Sequence, residues 1–252
     1  MTPIEVLQSF ALLVTAFVAV HIFKRIDGRR LTWAPEADSQ VAELWVFFRQ
    51  WLSRPLSTAA FSPSSRFLNR RMVHAIPPGT RRVIELGAGT GALTHALIEH
   101  GIAVDDLLAI EVNPSLHRYL SRRFPGLAVV QGDARTMGQM AEVAVFAGEA
   151  PVQAVVSGLG LLSMSREAQR AILSSAFELL PEDGAFVQFT YGPVAPVADE
   201  VMRGLGLRAR RHGFTLRNVP PAWVYVFTRD GAPRGCGRTR RPSRAMSGST
   251  RD

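Results

Sequence analysis

The sequence predicts an α/β fold with a mostly parallel, seven-stranded sheet and helices on both faces. Between residues 82 and 228, short apolar runs alternate with amphipathic stretches of helical period. The apolar runs lack the regular polar alternation of a half-solvated sheet, which is typical of parallel strands covered on both sides. A glycine-rich segment at residues 87–91 separates the first apolar run from the first amphipathic stretch. Doubly wound sheets bind ligands beside such a strand-to-helix turn.

Five strand–helix pairs and a closing hairpin make up the predicted domain. Strands are predicted at residues 82–86, 107–110, 127–130, 152–157 and 185–190, and helices at 92–100, 114–123, 137–146, 166–180 and 197–204. Two further strands, at 207–215 and 222–228, are predicted to pair as a hairpin. A helix ending near His74, with Ser64 or Ser65 as its cap, precedes the first strand. This alternation predicts a parallel sheet closed by an antiparallel unit.

The first 75 residues follow a different pattern. Residues 6–23 form an uncharged, mostly apolar run of about 27 Å if helical, close to the thickness of a bilayer core. The bases at 24–30 follow it, so the positive-inside rule predicts a membrane anchor with its basic flank in the cytoplasm. A helix packed on the domain and a misassigned start codon are the alternatives. The aromatic and apolar stripe at 41–52 suits either a helix in the membrane interface or an ordinary core helix.

Four regions are therefore expected. They are a hydrophobic N-terminal helix with a basic flank at 1–30, amphipathic membrane-docking and lid helices at 31–75, the α/β domain at 76–230 and a disordered basic tail at 231–252. The net charge of +8 is concentrated in the tail and in residues 24–30, so the remainder is close to neutral. This distribution argues against a basic nucleic-acid groove. The single cysteine, Cys236, excludes an intramolecular disulfide and a cysteine-rich zinc site, and no metal is expected.

The glycine-rich segment is the strongest ligand-binding signal. Glycines at 87, 89 and 91 allow a sharp turn and close approach of the backbone to a ligand. Their spacing is not that of the dinucleotide motif G-x-G-x-x-G, and Glu85 precedes the first glycine. A pyrophosphate is bound by bare amides at a helix N-terminus, whereas a sulfonium cofactor with a free amino group suits a nearby acid. A purely structural turn is the alternative.

Acidic residues at the ends of the next two strands support a cofactor site. Glu111 follows the second strand, where its carboxylate could accept both hydroxyls of a ribose. Asp133 follows the third strand and is placed to accept the amino group of an adenine. The stretch 82–133 resembles the motifs of class I methyltransferases, and this resemblance implies S-adenosylmethionine as the cofactor. The cofactor-binding residues expected on this basis are Glu85, Gly87, Ala88, Gly89, Gly91, Glu111, Asp133, Ala134 and Ser157.

Three segments outside this site are candidates for the acceptor. The sequence VSGLGLL, from residue 156, follows the fourth strand but lacks the aromatic residue that stacks on a flipped base in nucleic-acid amino methyltransferases. Ser64, Ser65 and Arg66 could hold a phosphate at a helix N-terminus, or could be a serine cap with a solvated arginine. The sequences QFTYGP, from residue 188, and RNVPPA, from residue 217, suggest shaped loops or simple turns.

Together these segments resemble the bacterial phospholipid N-methyltransferase family of the soluble, PmtA type. The resemblance rests on FFRQWLSRPLSTAAFSPSSRFL, VIELGAGTGALT, SGLGLL, QFTYGP and RNVPPAWVYVF, and covers residues 41–229. It implies a Rossmann-like class I methyltransferase that methylates phosphatidylethanolamine stepwise towards phosphatidylcholine, or the amine of an ornithine lipid. Two features depart from the family: Gly160 replaces an expected proline, and the hydrophobic segment before residue 24 is additional.

On this hypothesis Tyr191 orients the headgroup amine or relays its proton, with the backbone at Ser157 and Gly158 assisting. The substrate-binding residues expected are Ser64, Ser65, Arg66, Gly158, Leu159, Tyr191 and Asn218. We expect a monomeric enzyme, anchored or peripheral, on the cytoplasmic face of the bacterial inner membrane. Its partners would be a membrane phospholipid substrate and an anionic membrane surface, without nucleic acid or metal. The basic segments at 24–30 and in the tail would be attracted to such a surface.

Two other functions share parts of this pattern. An RNA adenine dimethylase would have the same glycine segment, but it predicts a basic body and an aromatic acceptor motif. A non-catalytic, membrane-tethered cofactor-binding protein would keep Glu85 and Asp133 without needing an acceptor pocket.

Overall fold

The computed structural model describes residues 66–191, 194–216, 218 and 221–231. Within them a seven-stranded, mostly parallel sheet is covered by helices in a Rossmann-like arrangement, as predicted. The strands are β1 (Val83–Leu86), β2 (Leu107–Glu111), β3 (Ala128–Gln131), β4 (Ala154–Ser157), β5 (Ala185–Thr190), β6 (Leu207–Thr215) and β7 (Ala222–Arg229). The α-helices are α1 (Arg66–Val73), α2 (Ala92–Glu99), α3 (Pro114–Arg123), α4 (Ala141–Glu149), α5 (Arg166–Leu179) and α6 (Asp199–Gly204).

The strand order β3-β2-β1-β4-β5-β7-β6 determines which loops meet. Strands β1 to β5 are parallel, and β7 enters antiparallel between β5 and β6. The carboxyl ends of β1 to β5 therefore lie at one edge of the sheet. The connection between β6 and β7 lies at the same edge, because Thr190 of β5 pairs with Trp223 near the start of β7.

Each face of the sheet has its own hydrophobic core. On one face α1, α2 and α3 bury residues such as Leu68, Leu97 and Leu120 against the strands. On the other face α4, α5 and α6 bury residues that include Phe146 and Ile172. The two cores explain the continuous apolar runs in β1, β2 and β4, where every residue is buried.

The helix predicted at 137–146 is wrong in its extent. A 3₁₀ turn spans Ala134–Gln139, Met140 is extended, and α4 begins only at Ala141. The Asp133 side chain accepts a hydrogen bond from the backbone N–H of Arg135 and starts this turn. Gly138 then donates its backbone N–H to Ser175 Oγ on α5, at 2.8 Å, which ends the turn against that helix. These contacts are long-range, so helical periodicity could not reveal the break.

The other predicted strands and helices of the domain are confirmed to within a few residues. The anchor predicted at 6–23, the amphipathic stripe at 41–52 and the tail beyond residue 231 lie outside the described residues. So do Ser64 and Ser65. Among the helices that the structure does describe, none has the length and apolar character needed to span a bilayer.

Candidate functional site

The glycine segment forms a tight turn between β1 and α2. Gly87, Gly89 and Gly91 have φ angles of 67°, 59° and 81°, in the left-handed region that favours glycine. A Cβ at Gly87 would lie 2.5 Å from the Leu159 side chain, and one at Gly91 would lie 2.3 Å from the ring of Phe124. The turn thus requires glycine for its left-handed backbone, and at Gly87 and Gly91 also for its close packing against neighbouring side chains.

Glu85 lies at the centre of this turn with no exposed surface. Thr94 Oγ1 donates to its Oε2 at 2.6 Å, while Oε1 is buried without a hydrogen-bond partner among the described residues. Burial raises the pKa of Glu85 to about 7; the nearby charge of Glu111 adds to this effect and the bond from Thr94 opposes it. The carboxyl therefore lacks a cationic partner, which a bound ammonium would supply.

Glu111, the last residue of β2, is held by two backbone amides. Gly89 N–H donates to Oε2 and Asn113 N–H donates to Oε1, each at 2.9 Å. The side chain is buried, and these bonds fix its carboxylate beside the glycine turn. Each carboxylate oxygen can accept a second hydrogen bond, so the pair retains capacity for two hydroxyls of a ligand.

Asp133 lies after β3 and is paired locally. Arg135 donates from its backbone N–H at 2.9 Å and from Nε at 2.8 Å, and its Nη2 forms an ion pair with Asp133 Oδ2. This pairing lowers the pKa of Asp133 and keeps it ionised. Ala134, which follows it, is buried in the core beneath the site. Asp133 is partly exposed at the same sheet edge as Glu85 and Glu111, and its contact with an adenine stays a prediction.

These residues fit S-adenosylmethionine on independent grounds. Among the described residues, a fully buried carboxylate oxygen at Glu85 has no hydrogen-bond partner. The φ angles of the backbone turn around it favour glycine over residues with a side chain. A cationic amino group would satisfy Glu85. Glu111 and Asp133 follow on the next two strands and offer acceptors for hydroxyl and amino groups. The three acids thus match, in order, the polar groups along an amino-acid nucleoside.

The loop after β4 joins this site to the rest of the sheet. Ser157 is fully buried and its Oγ accepts from Leu159 N–H at 3.3 Å. Gly158 donates its backbone N–H to the Leu86 carbonyl at 2.8 Å. A Cβ at Gly158 would lie 2.9 Å from the Gly87 carbonyl oxygen, so only glycine fits between the two loops. The acceptor-side loop therefore lies directly on the glycine turn.

Gln188 of β5 holds the same loop from the other side, and sequence reasoning did not single it out. It pairs with Ser157 in register and is fully buried. Its Nε2 donates to the carbonyls of Leu159 and Phe189 at 2.7 and 2.8 Å, and its Oε1 is buried without a partner among the described residues. Both neighbours are acceptors, so the orientation of the amide is determined. A polar residue in an otherwise apolar strand was the available signal.

Tyr191 and Asn218 are brought together although they lie on different loops. Burial raises the pKa of Tyr191 to about 12, opposed by a hydrogen bond with the Asn218 side chain. Asn218 is also buried, and Phe189 packs edge-on against the Tyr191 ring at 5.3 Å between centroids. Tyr191 is therefore a neutral phenol at physiological pH, held between the end of β5 and the β6–β7 connection.

Arg66 begins α1 and is exposed, with its guanidinium 5.8 Å from the centre of the Phe67 ring. The phosphate contacts predicted for Ser64 and Ser65 lie outside the described residues. Over the part of the chain that the structure describes, no three His, Cys, Asp or Glu side chains are grouped as metal ligands.

Two further residues support the site and were not predicted. Thr94, on the first turn of α2, is buried and donates to Glu85. Arg123 of α3 donates from Nη1 to the Thr90 carbonyl at 2.7 Å and so braces the glycine turn from outside. Neither stands out in the sequence, because Thr in a helix and Arg at a helix C-terminus are common for local reasons.

Comparisons with known proteins agree with this geometry. No protein-family model matches the chain. An ornithine lipid N-methyltransferase of Singulisphaera acidiphila is 31% identical over 193 residues, which span 73% of this chain and 94% of the relative. Among solved structures, the CcbJ methyltransferase of Streptomyces caelestis matches with a TM-score of 0.51 and 17% identity, covering 68% of this chain and 97% of that one.

A glycopeptide N-methyltransferase, MtfA, whose structure holds S-adenosylmethionine, has a TM-score of 0.49 and 18% identity over 67% of this chain and 96% of its own. The likeness to CcbJ shows the fold alone. The 31% identity over nearly the whole length of the relative shows the family, and the acids of the glycine-turn site suit the cofactor of that fold. S-adenosylmethionine is thus the cofactor of this protein. The chain belongs to the class I S-adenosylmethionine-dependent methyltransferases, in the same family as this lipid N-methyltransferase.

Proposed function

We propose that this protein methylates the headgroup amine of a membrane lipid. The observation that carries the proposal is the 31% identity with an ornithine lipid N-methyltransferase over 94% of that protein. The neutral polar groups at the acceptor edge support it, because they suit an amine. The loop after β4 has no aromatic residue of the kind that stacks on a flipped base.

The cofactor half of the site would hold S-adenosylmethionine through three acids. Glu85 would accept from the amino group, Glu111 from the ribose hydroxyls and Asp133 from the adenine amino group. When bound, this cofactor supplies a methyl group on a positively charged sulfur, which is open to attack by an amine lone pair. The glycine turn excludes side chains from the backbone that would contact it.

The acceptor half would orient the amine and keep it unprotonated. Ser157, Gln188, Tyr191 and Asn218 are neutral groups in buried surroundings. Such surroundings disfavour an ammonium and lower the pKa of the amine, which frees its lone pair. With a pKa of about 12, Tyr191 is suited to accept a hydrogen bond from the amine rather than to act as a strong base. As the new N–C bond forms and the S–C bond breaks, the proton on nitrogen would leave to water.

Two acceptors follow from different observations. The relative's name favours the amine of an ornithine lipid. The sequence resemblance to phospholipid N-methyltransferases favours phosphatidylethanolamine, methylated towards phosphatidylcholine. Both headgroups carry an anionic group near the amine, and Arg66, exposed at the start of α1, is our candidate to bind it. We place the reaction on the cytoplasmic face of the bacterial inner membrane, with the protein as a monomer.

The direct test is transfer of labelled methyl groups by the purified full-length protein. Mixed micelles would contain phosphatidylethanolamine, ornithine lipid or phosphatidylcholine, whose nitrogen is already fully methylated. We expect label in one or both amino lipids, none in phosphatidylcholine, and none in an RNA control. Label in RNA, or in none of these while the protein still binds S-adenosylmethionine, would contradict the proposal. An Arg66→Ala protein should show a raised KM for the lipid with unchanged cofactor affinity.

A further inference from the structure

Positive charge is segregated within the folded domain. Between residues 66 and 230 the chain has 17 arginines and 15 acidic residues, so this part is nearly neutral. Six of these arginines lie in α1 and β6, and neither element contains an acidic residue. The acids are therefore concentrated elsewhere, and α1 with β6 forms a local excess of positive charge.

The structure packs these two basic elements against each other. The Arg71 side chain of α1 crosses Gly213 of β6, where a Cβ would meet its Cδ at 2.8 Å. A bulge between Arg211 and Gly213 interrupts the pairing of β6 with β7 at this point. Partial burial lowers the pKa of His212, and the positive charges of Arg210, Arg71 and His74 add to this effect. Arg71 of α1 and Arg210 of β6 therefore lie on one face of the sheet. Arg211 and Phe214, which pair with Tyr225 and Trp223, lie on the other face at the same open edge.

The bases are also unneutralised and accessible. Arg70, Arg71, Arg210 and Arg211 are exposed, and no ion pair involves them within the described part of the chain. Holding unpaired arginines together is electrostatically unfavourable in the free protein. An anionic surface would relieve that repulsion at the outermost strand of the sheet.

Apolar side chains are exposed at the end of the same strand. Leu216 is 72% exposed and Phe214 is 37% exposed. Both lie where β6 runs into the connection that carries Asn218, and Asn218 hydrogen-bonds with Tyr191. Bases flanked by exposed aliphatic and aromatic side chains are the composition of a surface that enters the headgroup layer of a membrane. Its position places it beside the acceptor edge of the site.

We propose that Arg70, Arg71, Arg210 and Arg211, with Phe214 and Leu216, form a docking surface for an anionic lipid bilayer around β6, the outermost strand of the sheet. All six residues of this docking surface belong to the described domain. The biological role of this docking surface rests on the proposed function. Docking would present the acceptor edge of the site to the headgroup layer that holds the lipid substrate. Each base near an anionic membrane contributes on the order of 1 kcal/mol, or about fivefold in affinity. Leu216 favours lipid over nucleic acid, since an aliphatic side chain offers no ring for base stacking.

The test uses a local probe, so that binding by other parts of the full chain does not mask the result. Cys236→Ser removes the single native thiol, and Leu216→Cys then carries an environment-sensitive fluorophore. Val145→Cys on α4 is the matched control site, because Val145 is 65% exposed and lies on a different part of the domain. Vesicles of phosphatidylcholine alone, or with 30% phosphatidylglycerol, are then added.

We expect a blue shift and a several-fold rise in emission at position 216 with anionic vesicles, little change with neutral ones, and none at position 145. Arg210→Gln with Arg211→Gln should remove most of the response. The matched double variant, Arg118→Gln with Arg122→Gln on exposed α3 positions, should keep it within twofold. A response that is equal for both vesicle types, absent at 216, or stronger with RNA than with anionic vesicles would overturn the proposal.

This outcome is separable from the proposed function. A charge-dependent response at position 216 without methylation of any lipid would leave the docking surface standing and remove the proposed reaction. Lipid methylation with no response at position 216 would do the reverse.

Discussion

The two halves of the sheet carry opposite kinds of polar group at the edge where the proposed function requires two ligands to bind. At the ends of β1, β2 and β3 the site uses carboxylates: Glu85, Glu111 and Asp133. Beyond β4 the groups are neutral, among them Gln188 and Tyr191; burial raises the pKa of Tyr191 to about 12 and disfavours its anion further. The two halves meet where Gly158 packs on the glycine turn.

This difference has a chemical reason. The cofactor is recognised as a cation with hydroxyl and amino groups, and acidic acceptors match all of them. The acceptor amine has to lose its charge before it reacts, and a carboxylate beside it would stabilise the unreactive ammonium. On the proposed function, a site divided between charged and neutral halves would hold one nitrogen as a cation and another as a free amine.

Substitution of Gly158, where the two halves meet, should impair the cofactor half and the acceptor half together. In Gly158→Ala the new Cβ would lie 2.9 Å from a backbone carbonyl oxygen, which cannot rotate away as a side chain could. We expect a loss of about 1–3 kcal/mol in the free energy of unfolding and at least a hundredfold loss of kcat/KM, on the order of 3 kcal/mol. Denaturant unfolding measures the loss of stability, and methyl-transfer rates measure the loss of kcat/KM.

The control is Gly148→Ala in α4, where a Cβ meets nothing within 4 Å. It should raise stability by up to about 1 kcal/mol, as expected for Gly to Ala in a helix, and leave activity unchanged. Equal behaviour of the two variants would show that the halves are not coupled through Gly158.

Glu85→Gln should disable the cofactor half alone. We expect the affinity for S-adenosylmethionine to fall about thirtyfold, since a buried charge partner is lost, while micelle binding is unchanged. Calorimetric titration with the cofactor measures this loss. Glu99→Gln on the exposed end of α2 is the control and should bind normally.

The same variant should alter the pH dependence of stability in the free protein. The folded-state pKa of Glu85, about 7, lies above the ordinary value of 4.5, so the folded form binds this proton more tightly. The contribution to stability is complete below pH 4.5 and is lost as the pH rises through 7, about 3 kcal/mol in all. Glu85→Gln should remove this fall and be more stable than the parent at pH 8.5. Urea unfolding of both proteins at pH 5 and 8.5 measures whether the parent loses stability with rising pH and Glu85→Gln does not.

Tyr191→Phe should disable the acceptor half alone. Removal of its hydroxyl should lower kcat about tenfold, the value of one hydrogen bond, without changing cofactor affinity. Tyr119→Phe, at an exposed position on α3, is the matched control. If the Tyr191→Phe protein instead binds the cofactor poorly, the assignment of Tyr191 to the acceptor half is wrong.

Gln188→Leu should produce the smallest change. It leaves the Leu159 and Phe189 carbonyls without the Nε2 donor and loosens the loop after β4. We expect a rise of about threefold in the KM for the lipid and a loss of about 1 kcal/mol in stability. A positioning role predicts that Gln188→Asn partly restores KM, whereas a purely structural role predicts that KM follows stability in both variants.

Most of the fold could be predicted because its signals are local. Buried parallel strands are continuous apolar runs, helices have their own period, and the glycine turn needs left-handed φ angles at three positions. The helix predicted at 137–146 was wrong because Gly138 is held by Ser175, which lies 37 residues away. No periodicity records such a contact.

The sequence by itself determined where the functional groups lie along the chain: the glycine turn at 87–91, acids at the ends of β1 and β2 and just after β3, and polar residues at the end of β5. These follow from local backbone preferences and from the rule that parallel strands present their carboxyl ends together. Only the tertiary structure decided that Glu85 is buried without a partner for one oxygen, that Tyr191 meets Asn218, and that the arginines of α1 lie beside those of β6. Burial and side-chain pairing depend on which distant elements pack together, and that depends on the whole chain at once.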